Sequence, residues 1–153
     1  HLLLFFTGFS RISADIQKKT EANISNKTKE LLEMKSLVDD AEEILVSNGD
    51  LNEFGKLLHY TWELKRGIST AVSTDHIDDI YRRAIRAGAI GGKLLGAGGG
   101  GFLLFFVEPD KQDAVLEELN ELLYVPFAFE NDGTQVIYFK AEDYSIPEQF
   151  LRE

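Results

Sequence analysis

The stretch Gly91–Gly101, GGKLLGAGGGG, holds seven glycines and one alanine in eleven residues, and more than half of the chain's 13 glycines sit in it. Glycine loses more conformational freedom on folding than any other residue and supplies backbone angles that others avoid. Such a concentration needs a use. Before it, Ile77, Ile80, Tyr81 and Ala84 recur at helical spacing behind a cap at Thr74 or Asp75, and Gly88 closes that helix. After it, FLLFFVE at 102–108 is a continuous apolar strand. The run therefore reads as a connection from helix to strand. One or two glycines would make that connection, and six small residues in succession at 96–101 exceed the need. Consecutive small residues let backbone N–H groups face a concavity that receives an anion or a second chain segment. By the same reading Gly91 and Gly92, nearer the helix, should give milder effects on substitution, mostly on stability.

Working outward, LLLFF at 2–6 is an apolar strand ending at Thr7-Gly8, and a helix starts from a cap at Ser10 or Ser13. Residues 31–47 carry an apolar stripe at helical spacing that stops at Asn48-Gly49. Asp50 caps the next helix, whose inner face is Leu51, Phe54, Leu57, Leu58, Thr61 and Leu64. Beyond the strand at 102–108, Pro109 opens a helix to about Leu123. YVPFAFE (124–130) and TQVIYF (134–139), joined by Asn131-Asp132-Gly133, read as a hairpin with an edge strand at Pro126. The order predicts an α+β fold of ferredoxin-like character: a four-stranded antiparallel sheet with helices on one face and an inserted helical hairpin. Residues 1–140 are expected to form the domain, and 141–153 a polar, acidic tail.

The net charge of −10, from 26 acidic and 16 basic residues, argues against nucleic-acid or anionic-membrane binding, since both partners are polyanions. Without cysteine the chain has neither disulfides nor thiolate metal sites, which suits a cytoplasmic location. No apolar run approaches the roughly 18–20 residues of a membrane helix. The chain opens inside an apolar run without Met, which reads as a fragment lacking an N-terminal portion.

Gly96, Gly98 and Gly101 match G-x-G-x-x-G, but a dinucleotide loop follows a strand and opens a helix, the reverse of the order read here. A Walker A loop needs G-K-[ST] after the glycines, whereas Lys93 precedes most of them. In TGFSR (7–11), Thr7, Ser10 and Arg11 have the chemistry to meet a sugar or its phosphate; the plainer reading is a cap and a surface arginine. WELKR (62–66) sets Trp62 beside Lys65 and Arg66: a substrate-facing group, or a core aromatic with two solvated cations. His59 and His76 read as packed or surface histidines, with no metal-ligand spacing.

GGKLLGAGGGGFLLFF resembles the third signature motif of the GHMP small-molecule kinases. LLLFFTGFSRISADI, LHYTWELKRGIS, IDDIYRRAIRAGAIGGKLLGAGGGGFLLFFVEPDKQDAV and YVPFAFENDGTQVIY together are similar to the C-terminal domain of that family's heptose-phosphate kinases. The resemblance covers most of residues 2–139. It implies ATP-dependent phosphoryl transfer to the anomeric hydroxyl of a sugar phosphate, with ATP and Mg²⁺ held mainly by an N-terminal domain. It implies no catalytic residue in this chain. Lys93, Gly96, Ala97, Gly98, Gly99, Gly100 and Gly101 would then lie near the ATP phosphates, with N–H donors from Ala97 to Gly101. Thr7, Gly8, Ser10, Arg11, Trp62, Lys65 and Arg66 would lie on the substrate side. The face meant for the other domain would be apolar, a place where two copies can pair. The rival reading is a free-standing ferredoxin-like module that regulates or binds a small ligand.

Overall fold

The computed structural model describes residues 1–9, 13–22, 24–136 and 138. Four strands, β1 (Leu2–Phe6), β2 (Ala89–Leu94), β3 (Phe102–Val107) and β4 (Leu123–Tyr124), form one antiparallel sheet in the order β2-β3-β1-β4. Helices α1 (Ser13–Glu21), α2 (Thr28–Val46), α3 (Asn52–Ile68) and α4 (Asp75–Ala87) connect β1 to β2. A 3₁₀ turn at Pro109–Lys111 and α5 (Gln112–Glu118) connect β3 to β4. This is the expected ferredoxin-like α+β sheet, with α2 and α3 as the inserted hairpin.

Leu3 and Phe5 of β1 and Leu103, Phe105 and Val107 of β3 alternate onto one face and are buried. Ile77, Ile80, Tyr81 and Ala84 of α4, Val115 of α5 and Leu119 close over them as one core. α4 is fixed at both ends. The Thr74 hydroxyl accepts from Ile77 N–H, and Gly88, at φ 120°, donates its N–H to the carbonyls of Ala84 and Ile85. α3 sits astride the β2 edge. Its Trp62 is fully buried in the core, while its Phe54 meets Phe106 edge-on across the other face, with centroids 6.1 Å apart. Leu2, Leu45, Phe54, Leu104, Phe106, Phe127 and Phe129 line an apolar cleft of about 560 Å³ on that side.

Three expectations are corrected. The residues before the glycine loop are not a helix end: Ala89–Leu94 is β2, and glycines 91 and 92 pair with Phe106 and Phe105 of β3. The loop thus joins two strands of a hairpin. Glycine is depleted in strands, which hid β2 from its pattern. It is accepted here because α3 comes so close that a Cβ on Gly91 would stand 2.0 Å from the Gly55 carbonyl oxygen. The second correction concerns the hairpin read at 124–139. β4 ends at Tyr124, and the described residues between 125 and 138 form no strand. Val125 N–H still donates to the Leu4 carbonyl at 2.8 Å, but Pro126 has no N–H to continue the ladder. The helix read from Pro109 to Leu123 is shorter, ending at Glu118. The tail 141–153 lies outside the described residues.

Candidate functional site

Three connections meet at one end of the sheet: Thr7–Phe9 after β1, Leu95–Gly101 between β2 and β3, and Ser69–Thr74 between α3 and α4. The glycine loop runs between the other two. Gly99 N–H donates to the Val72 carbonyl at 2.8 Å, and Gly101 N–H to the Phe9 carbonyl at 2.9 Å. The Gly101 carbonyl accepts from Thr7 N–H at 2.8 Å and from the Thr7 hydroxyl at 3.0 Å. At the loop's base, Leu95 N–H donates to the Phe102 carbonyl at 2.8 Å.

Glycine is required here for two reasons. Gly96, Gly98, Gly99 and Gly101 have φ of 73°, 113°, 74° and 108°, left-handed values that side chains rarely adopt. A Cβ on Gly98 would meet the Val72 backbone at 2.8 Å, and one on Gly100 the Phe9 ring at 2.8 Å. The loop is therefore a pinned backbone wedge. Two of the five N–H groups expected to face an anion, those of Gly99 and Gly101, are used to pin it. Those of Ala97, Gly98 and Gly100 have no hydrogen-bond acceptor among the described residues.

Lys65 comes to this loop rather than to a separate substrate surface. Its ammonium donates to the carbonyls of Leu94 at 3.2 Å and Gly96 at 2.6 Å. Burial first, and the like charge of Lys93 second, pull its pKa down to about 8. Lys93 itself lies against α2 and α3, beside Leu37, Ala41, Leu57 and Thr61.

The remaining substrate-side candidates divide. Arg66 pairs with Glu63 and Asp78, both at 2.8 Å, and Asp78 also accepts from the Ser73 hydroxyl at 2.5 Å. These residues line a polar cleft of about 390 Å³ with Gly67, Ser69 and Thr70. Thr7 is buried and committed to Gly101, Gly8 is exposed at φ 85°, and Trp62 is core. Ser10 and Arg11 lie outside the described residues. Sequence reasoning missed the loop's walls, Phe9 and Val72, which carry no motif and act through their carbonyls. It also missed that the Tyr81 hydroxyl stands 2.8 Å from His59 Nδ1 and donates to the Gly92 carbonyl at 3.3 Å, tying α3, α4 and β2 together. Burial raises the Tyr81 pKa well above the ordinary phenol range.

A split βαβ sheet carries, at one end, a glycine loop pinned between two neighbouring connections, bare backbone of the kind that can receive an anion or a second chain segment. Residues 37–125, more than half of the chain, match the family model for the C-terminal domain of GHMP kinases, and the chain belongs to that family. It is 34% identical over 137 residues to D-glycero-alpha-D-manno-heptose 7-phosphate kinase of Campylobacter jejuni, covering 87% of this chain and 40% of that protein. Mevalonate kinase of Pyrococcus abyssi is 39% identical over 84 residues, covering 54% of this chain and 25% of that one. Among solved structures, Methanococcus jannaschii mevalonate kinase superposes with a TM-score of 0.69 at 28% identity, covering 81% of this chain and 38% of that one. L. major mevalonate kinase in complex with R-mevalonate gives 0.68 at 26% identity, covering 78% and 37%. The chain thus spans about two fifths of the length of its heptose kinase relative. No helix among the described residues is long and apolar enough to cross a membrane.

Proposed function

We propose that this chain is the C-terminal domain of an ATP-dependent sugar kinase that phosphorylates the anomeric hydroxyl of D-glycero-D-manno-heptose 7-phosphate in the cytoplasm. Its partner is an N-terminal kinase domain carrying the catalytic base and the magnesium ligands. The observation that carries the reading is the wedge at Gly96–Gly101: a bare backbone, pinned at both walls, with the Ala97, Gly98 and Gly100 N–H groups unclaimed, in a chain whose heptose kinase relative matches 87% of it.

The residues present fit a nucleotide's phosphates. N–H groups held in place before a negative charge arrives stabilise it without reorganisation. We assign magnesium mainly to the partner domain. When bound, ATP with Mg²⁺ supplies the phosphoryl group. This chain's residues bind and orient. The Ala97, Gly98 and Gly100 N–H groups offer donors to phosphate oxygens, and the absence of side chains at 98–101 lets a phosphate or the partner domain's backbone approach. Phosphoryl transfer depends on such positioning and charge neutralisation.

The test is an assay of the polypeptide that joins this domain to its kinase domain, with ATP and a panel of D-glycero-D-manno-heptose 7-phosphate, L-fucose and mevalonate. We expect a 1,7-bisphosphate by ³¹P NMR from the heptose phosphate and no turnover by residues 1–153 alone. Turnover of mevalonate in its place would remove the sugar assignment; turnover by the isolated chain would remove the two-domain one.

A further inference from the structure

Lys65 is the one side-chain cation hydrogen-bonded to the glycine loop among the described residues, and its bonds go to carbonyls rather than to a carboxylate. In a chain with 26 acidic residues, its ammonium has no ion-pair partner among the described residues. The charge facing it from β2 is another cation, Lys93, and its neighbours on α3, Glu63 and Arg66, pair with each other. Withdrawing even part of an unpaired ammonium from water carries a cost, so the arrangement calls for a role.

The geometry of the peptide unit supplies one. A trans peptide is planar, with its C=O and N–H on opposite sides. The Gly96 carbonyl and the Ala97 N–H belong to the same plane. When Lys65 holds the Gly96 carbonyl at 2.6 Å, the Ala97 N–H must point the other way, out of the protein side of the loop. Gly96, at φ 73° and with no atom within 4 Å of where its Cβ would be, has nothing of its own to fix that plane. The Leu94 carbonyl at 3.2 Å gives the ammonium its second anchor on the loop's base.

We propose that Lys65 is the positioning residue of the glycine loop: by holding the Leu94 and Gly96 carbonyls it sets the Gly96–Ala97 peptide plane and aims the Ala97 N–H at a phosphate oxygen. The phosphate part rests on the kinase reading above. The orientation of the peptide plane does not, and the test separates them. A neutral amine donates more weakly than an ammonium, so deprotonating Lys65 loosens the hold.

Carbon-detected NMR correlates the carbonyl carbon of Gly96 with the nitrogen of Ala97 in one cross-peak, and it remains usable at high pH. In the wild-type chain this peak should move between pH 6.5 and 10.5 with a midpoint near 8. In Lys65→Met it should be displaced at every pH and show no such midpoint, while the corresponding peak of the Val115–Leu116 peptide in α5 stays in place. A wild-type peak that does not move over that range overturns the proposal even if Lys65→Met fails to fold, and so does a Lys65→Met peak at the wild-type position. In the polypeptide joined to its kinase domain, Lys65→Met should lower kcat/KM for ATP by about 10- to 100-fold, with Lys65→Arg recovering part of it. Unchanged kcat/KM in Lys65→Met overturns the phosphate role. No phosphoryl transfer by the wild type, with the peak moving as described, would sink the kinase reading and leave the loop assignment standing.

Discussion

The glycines of the 91–101 run do two jobs, some of them both, and the jobs differ in what a methyl group would cost. Gly91 serves close approach: its Cβ would meet the Gly55 oxygen at 2.0 Å and the His59 nitrogen at 2.9 Å, both helix backbone. Only a shift of α3 against β2 relieves that, so Gly91→Ala should destabilise by about 3 kcal/mol, read from urea unfolding of the chain. Gly96 has open space around it and needs only its left-handed φ of 73°. Gly96→Ala should cost about 1–2 kcal/mol. Equal losses for the two would refute the division. The sequence reading expected milder effects at Gly91, mostly on stability; the structure gives the reason for the stability effect, since Gly91 lies in β2 against α3 and not at a helix end. Gly100 tests function. A valine there presses on the Phe9 ring and carbonyl, at 2.8 and 2.9 Å, and displaces the loop without touching a strand. In the polypeptide joined to its kinase domain, Gly100→Val should lower kcat by about 100-fold or more with an unchanged far-UV circular dichroism spectrum. Activity within a few-fold of wild type would make the loop a mere connection.

At the scale of elements, α4 shows how a sequence signal becomes a fixed part. Its N-cap was legible as Thr74 or Asp75 and its C-cap as Gly88, and the structure uses Thr74 and Gly88. Losing the Thr74 hydroxyl leaves Ile77 N–H without its acceptor, so Thr74→Ala should cost about 1 kcal/mol, seen as a lower urea midpoint at constant slope. A change within a few tenths would mean that the 3.3 Å bond contributes little. The apolar strands β1 and β3 were equally legible, because two-sided burial leaves continuous apolar runs such as LLLFF and FLLFFV. β2 was not, because AIGGKL has the composition of a turn and earns its place in the sheet only through the closeness of α3. Within the hairpin read at 124–139, the described residues 125–136 and 138 form no strand for the opposite reason. Its alternation was real, but Val136 and Tyr138 are about four-fifths exposed, with no layer above them to reward pairing. Of the site, the glycine motif was legible and its walls were not: Phe9 and Val72 contribute backbone carbonyls, which any residue carries.

At the scale of the whole molecule, one half-buried cation works against the trend of the total charge. The net charge is −10 near neutrality and grows more negative as pH rises, so self-repulsion increases. Lys65 has the opposite effect. Its pKa falls from 10.5 to about 8 on folding, so between those values the unfolded chain binds the proton that the folded chain has released. Where the unfolded state holds more protons, stability rises with pH. The cost of the half-buried ammonium is therefore fully present below pH 8 and is relieved between about pH 8 and 10.5. Comparing wild type with Lys65→Met cancels every other titrating group. The stability of the wild type relative to this variant, from urea unfolding at pH 7, 8.5 and 10, should increase with pH, most of the change falling between 8 and 10. A difference that stays flat would mean that Lys65 titrates alike in both states and is not desolvated. A difference that shrinks would mean that its ammonium is stabilised in the fold, and that the two carbonyls outweigh burial and the charge of Lys93.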